Sequence, residues 1–98
     1  MHSNNFQLEV WREFGNSEDI EFYIYFNGVR FYGWAFTLKG VEAVMKKDKI
    51  TDESAGGKYF WAENFIIIDV ITEDCLKAVI SDLIRSDPEV LGTIFSIV

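Results

Sequence analysis

Ile-Glu-Phe-Tyr-Ile-Tyr-Phe-Asn-Gly-Val-Arg-Phe-Tyr-Gly-Trp-Ala-Phe-Thr-Leu, residues 20–38, reads as a β-hairpin, and that reading decides the fold. Asn27-Gly28 supplies two residues that tolerate positive φ, as a two-residue type I′ turn requires, and β-branched and aromatic residues flank it. The turn sets the register. Phe26 falls opposite Val29, Ile24 opposite Phe31, Phe22 opposite Gly33 and Ile20 opposite Ala35, so one face is almost wholly apolar. The other face pairs Tyr25 with Arg30, Tyr23 with Tyr32 and Glu21 with Trp34. It is aromatic and acidic, and any function argued from this sequence starts there.

Working outward toward the N-terminus, residues 5–14 alternate, with Phe6, Leu8, Val10 and Phe14 on one side and Gln7, Glu9, Trp11 and Glu13 on the other. Gly15-Asn16-Ser17-Glu18-Asp19 is a turn cluster, so this strand is expected to fold back antiparallel onto residues 20–26. If Phe14 pairs near Ile20, Val10 lies near Ile24 and Trp11 near Tyr23. Residues 1–4 are small and polar and read as a frayed end.

Toward the C-terminus, Thr37 is a candidate N-cap, and Leu38, Val41, Val44 and Met45 recur at helical spacing, predicting a helix to about Lys49. Lys46, Lys47 and Lys49 suit its negative end. Residues 51–58, polar and rich in glycine, read as a mobile surface loop. Tyr59-Phe60-Trp61-Ala62 and Phe65-Ile66-Ile67-Ile68-Asp69-Val70-Ile71 read as strand, either as two short ones or as one long one bulged at Glu63-Asn64. The unbroken 65–68 run suggests a central strand covered on both sides. Within it Asp69 needs solvent, an Arg or backbone donors to stay ionised. Thr72-Glu73-Asp74 opens a second helix, in which Leu76, Val79, Ile80, Leu83 and Ile84 form one apolar stripe, and Asp87-Pro88 ends it. Residues 89–98 are too apolar to hang free. They are expected to pack on the core, add a short strand or meet a partner.

The expected architecture is one α+β domain over residues 1–98: an antiparallel sheet of four to five strands with two helices packed on one face, in the order β-β-β-α-β-(β)-α. The last strand could join either edge. Sixteen acidic against nine basic side chains give a formal charge of −7, which argues against a nucleic-acid partner, because phosphate contacts need Lys or Arg. A basic protein is the more natural charged partner, although acidity also serves solubility. No apolar run approaches the roughly 20 residues of a membrane helix, and Met-His-Ser-Asn-Asn lacks the regions of a signal peptide, so a cytoplasmic protein is expected.

No catalytic, cofactor or metal motif is recognisable. Gly57-Lys58 fails as a phosphate loop, since Asp52 stands where that motif needs Gly and Tyr59 where it needs Ser or Thr. Asp52, Glu53 and Glu63 lack the spacing of a calcium loop. Cys75 is the only cysteine and His2 the only histidine, which excludes an internal disulfide and a Cys/His zinc cluster. Cys75 sits at the margin of the apolar stripe and reads as a small buried hydrophobe.

The Tyr59-Phe60-Trp61-Ala62 run, then Phe65-Ile66-Ile67-Ile68-Asp69, then a Thr72-Glu73-Asp74-capped helix in a short acidic chain, resembles small bacterial immunity proteins, which neutralise toxins by binding them. The resemblance implies a stoichiometric inhibitor whose acidic residues occupy a basic toxin's site while aromatic side chains anchor the contact. On the residues themselves, a non-catalytic protein-binding module would use Trp11, Tyr23, Tyr25, Tyr32 and Trp34 as anchors and Glu9, Glu13 and Glu21 as steering charges. Two alternatives stand beside it. One is a small enzyme or ligand carrier with a pocket between the aromatic face and the 52–58 loop, where Asp69 or Glu63 would converge with Tyr59. The other is a homodimer joined through the same face, or that face covered by the chain's own loop, first helix or tail.

Overall fold

The hairpin forms as its turn dictates. The computed structural model describes residues 5–15 and 17–98. In it β2 (Asp19–Phe26) and β3 (Val29–Phe36) pair antiparallel, with Phe26 opposite Val29, Ile24 opposite Phe31, Phe22 opposite Gly33 and Tyr23 opposite Tyr32. Asn27 and Gly28 both have positive φ, at 50° and 74°, which lets the two-residue turn follow the twist of the strands. Residues 1–4, read as frayed, and Asn16 of the turn cluster lie outside the described residues.

β1 (Gln7–Glu9) is shorter than the 5–14 alternation suggests and sits two residues away from the expected register: Leu8, not Val10, lies opposite Ile24, and Glu9, not Trp11, opposite Tyr23. A shift of two preserves the faces. Phe6, Leu8, Val10 and Phe14 accordingly still pack against the core. The strand stops because the chain bends at Trp11-Arg12, where the Arg12 guanidinium donates to the Ser17 hydroxyl (3.2 Å) and the Asp19 carbonyl and pairs with the Asp19 carboxylate at 3.3 Å. The connection from β1 to β2 thereby begins at Val10, five residues before the turn cluster at Gly15.

α1 (Leu38–Thr51) starts where expected, with the Thr37 hydroxyl accepting from the Gly40 amide at 3.0 Å. It returns the chain to the start of the sheet, so that β4 (Phe65–Ile67) runs parallel to β3 with Ala35 opposite Ile66. The predicted strand at 59–62 is absent, and the 65–71 run is strand for three residues only. β4 does not lie centrally. It shares one edge of β3 with β5 (Ser96–Ile97), which pairs antiparallel to Phe31 and Tyr32. The two lie end to end as one row, and the Ser96 hydroxyl donates to the Asn64 side-chain carbonyl at 2.9 Å where they meet. An outer row explains why Ile67 is half exposed and why Asp69 stands in solvent rather than in the core.

α3 (Glu73–Ser86) is capped by the Thr72 hydroxyl, which accepts from the Cys75 amide at 3.1 Å, and buries Leu76, Ile80 and Ile84. α4 (Val90–Ile94) comes next and adds Leu91, with Phe95 packed edge-on to Phe22 at 5.4 Å. These side chains fill the apolar face of the hairpin, where Ile20, Phe22 and Ile24 are no more than 1% exposed. Each such burial contributes about 1.5–3 kcal/mol. The tail realises two of its expected fates, packing on the core and adding a short strand, and the helix α4 through which it packs is not among those expectations.

α1 does not share that face. None of its side chains belongs to the core cluster, and its Gly40, Ala43 and Val44 face the aromatic side of the sheet beside Trp34 and Phe36. The core side is filled by α3 and α4 instead. The 51–58 segment is likewise no free loop. As α2 (Ser54–Gly57) it makes one turn with positive φ at all four residues, closed by bonds from Gly57 N to Glu53 O and from Lys58 N to Ser54 O, and it folds back along α1. Among the described residues no helix is long and apolar enough to cross a membrane.

Candidate functional site: the aromatic face

Strand alternation delivers Tyr23, Tyr25, Tyr32 and Trp34 to one face, Trp11 joins them from the bend after β1, and the face divides in two. Trp11, Tyr23 and Tyr32 form a row, with centroids 5.3 Å apart between Trp11 and Tyr23 and 5.5 Å between Tyr23 and Tyr32. The Arg30 guanidinium lies over this row, 3.9 Å from the Tyr23 centroid and 5.6 Å from that of Tyr25, and pairs with Glu9 at 3.6 Å. Its Nε is buried without a hydrogen-bond partner, so the rings and Glu9 hold this cation. Trp11 is 78% exposed and Tyr25 37%, and this half is open. A depression of about 430 Å³ lies along it, lined by Trp11, Arg12, Glu21, Tyr23 and Tyr32.

The second half is walled in by α1 and residues 60–63. Trp34 packs on Phe36 at 4.8 Å, and Phe36, 4% exposed, meets Phe60 at 5.0 Å and Phe65 at 6.2 Å. α1 stands beside these rings because its start is tied to the loop before β2: the Thr37 amide donates to the Glu18 carbonyl at 3.0 Å, and the Thr37 hydroxyl donates to the Glu18 carboxylate. A side chain at Gly40 would put its Cβ 2.6 Å from that same carbonyl, so glycine in the first turn permits the approach. Between α1, β3 and residues 60–63 runs a groove of about 690 Å³, whose walls include Tyr32, Trp34, Phe36, Val44, Phe60 and Trp61.

Three of the rings are anchored through their polar atoms. Tyr32 donates to Glu21 at 2.5 Å, the Trp34 indole to Asp19 at 2.9 Å and the Trp11 indole to Glu9 at 3.2 Å. Burial, and next the bond to the Glu21 carboxylate, push the Tyr32 phenol far above its ordinary pKa, so it remains a protonated donor across physiological pH. The carboxylates thus fix rings in place.

Of the eight residues predicted as a contact site, Trp11, Tyr23, Tyr25, Tyr32, Glu9 and Glu21 come together on the open half. Trp34 belongs to the groove wall, and Glu13, exposed beyond the bend, lines neither depression. The groove is not where the pocket was expected. Its walls include Glu63 but not Tyr59, Asp69 or any residue of the 52–58 segment. Phe60 and Trp61 were missed as site residues because their aromatic run reads as strand. Glu18 and Asp19 were read only as turn residues. Among the described residues no group of three or more His, Cys, Asp or Glu side chains could hold a metal ion.

A scan against protein-family models, a search of curated proteins and a search of solved structures each return no match for this chain.

Proposed function

We propose that this chain is a non-catalytic protein-binding module that engages a basic partner through the open half of its aromatic face. The observation that carries this reading is Trp11: a large ring, 78% exposed, held in a fixed row with Tyr23 and Tyr32 and bonded to Glu9. Tyr and Trp concentrate binding energy at interfaces, and rings already held in place lose little freedom when a partner arrives. Glu9 and Glu21 stand within the row, and a net charge of −7 favours approach by a basic surface. The concrete form of this proposal is an immunity-type inhibitor of a basic toxin, made in the same cytoplasm, in keeping with the resemblance drawn from residues 59–74.

The test is co-expression with the product of the adjacent reading frame, then co-purification. The wild-type chain is expected to retain that product, and Trp11→Ala or Glu21→Lys to release it while circular dichroism stays unchanged. Retention by both variants would remove the open half from the contact.

A further inference from the structure

The groove beneath α1 is not used by the row of open rings, and its composition is selective. Trp34, Phe36, Phe60 and Trp61 offer ring faces, while Glu18, Asp19 and Glu63 supply three carboxylates and no Lys or Arg lines it. Asp19 is already paired with Arg12. Glu18 receives only the Thr37 hydroxyl and backbone contacts, and Glu63 is exposed, with no hydrogen bond or ion pair among the described residues, so two negative charges there lack a cation. The groove also shares Tyr32 with the open depression, forming one track that runs from Trp11 to Trp61 across the face.

We propose that this groove receives an arginine side chain from the partner polypeptide, its guanidinium stacked on the aromatic wall and paired with Glu63. A planar guanidinium stacks on rings and donates two parallel hydrogen bonds to a carboxylate, whereas its three-carbon stem suits apolar walls. A volume of about 690 Å³ takes such a side chain with its neighbouring residues, and Trp61, 70% exposed on the wall, leaves the groove reachable by another polypeptide. This inference rests on the protein-binding reading and assigns it a second contact, in which the partner inserts into this chain.

The three indole N–H signals of the ¹⁵N-labelled protein separate the possibilities, because Trp34 and Trp61 line the groove and Trp11 does not. The probe is the capped peptide acetyl-Gly-Leu-Arg-Leu-Gly-amide, compared with the same peptide carrying glutamate or norleucine at its centre. The arginine peptide is expected to shift the Trp34 and Trp61 signals saturably and to bind about tenfold more tightly than the glutamate peptide, a difference of about 1.4 kcal/mol. Glu63→Gln is expected to weaken it about threefold, the size of one exposed ion pair. Ala43→Trp, which fills the groove from an exposed helix position, should abolish the shifts. Unmoved Trp34 and Trp61 signals, equal binding of the glutamate peptide, or indifference to both substitutions would each overturn the groove assignment. None of those results touches the co-purification assay on Trp11 and Glu21, so failure of the groove and failure of the binding module remain distinguishable.

Discussion

The two halves of the aromatic face are built from neighbouring residues of the same strands, yet one is wall and the other is surface. Tyr32 and Trp34 are two residues apart on β3, but Trp34 leads to Phe36, buried among Phe60 and Phe65, whereas Tyr32 leads through Tyr23 to Trp11, almost wholly exposed. The difference comes from the segment immediately after the hairpin. Thr37 ties α1 to Glu18 and stands the helix beside Trp34 and Phe36, and residues 60–63 close that end. At the far end the described contacts come from single side chains, with Trp11 beside Tyr23 and Arg30 over Tyr23, and no helix stands over them. Alternation along a strand therefore assigns a ring to a face, and a contact distant in sequence decides whether the ring is walled in beside a helix or left on the open surface.

The sharpest way to break this comparison is to truncate one ring on each side. Phe36→Ala removes a ring that touches three others and is expected to cost about 3 kcal/mol in urea unfolding. Trp11→Ala, mostly in solvent, is expected to change stability by less than about 0.5 kcal/mol. Equal losses would mean that the open half is structural after all. A smaller effect sharpens the boundary at Tyr32. Its phenol is held protonated in the folded chain and titrates near 10.0 when unfolded, so the folded state binds the proton more tightly. The stability this adds is fully present below pH 10 and is lost as pH rises through the folded-state value. Tyr32→Phe, measured by unfolding between pH 9 and 11, should show a shallower alkaline decline than the wild type, and an identical slope would mean that neither burial nor the Glu21 bond holds the phenol protonated in the folded chain.

Much of this was legible in the residues. The Asn27-Gly28 turn predicts every pairing in the hairpin, and both Thr37 and Thr72 cap the helices as their spacing suggests. Those features are local, set by backbone preference and hydrogen bonding within a few residues. The register of β1, the side taken by α1 and the fate of Tyr59–Ala62 were not legible, because each depends on a contact across the fold: Arg12 with Asp19, Thr37 with Glu18, and Phe60 with Phe36. The same limit applied to the site. Alternation gives the open rings of the strands, Tyr23, Tyr25 and Tyr32, but Trp11 reaches them from the bend after β1, the groove needs three segments to meet, and nothing in the 59–63 run distinguishes a groove wall from a strand.

The claim that the open half is spared by the fold for contact with another molecule is tested most directly by calorimetric titration of the adjacent reading frame's product into wild-type and Trp11→Ala protein of equal thermal stability. The account predicts tight one-to-one binding to the wild type and a loss of at least about 2 kcal/mol, some thirtyfold in affinity, for the variant. Unchanged affinity at unchanged stability would contradict it.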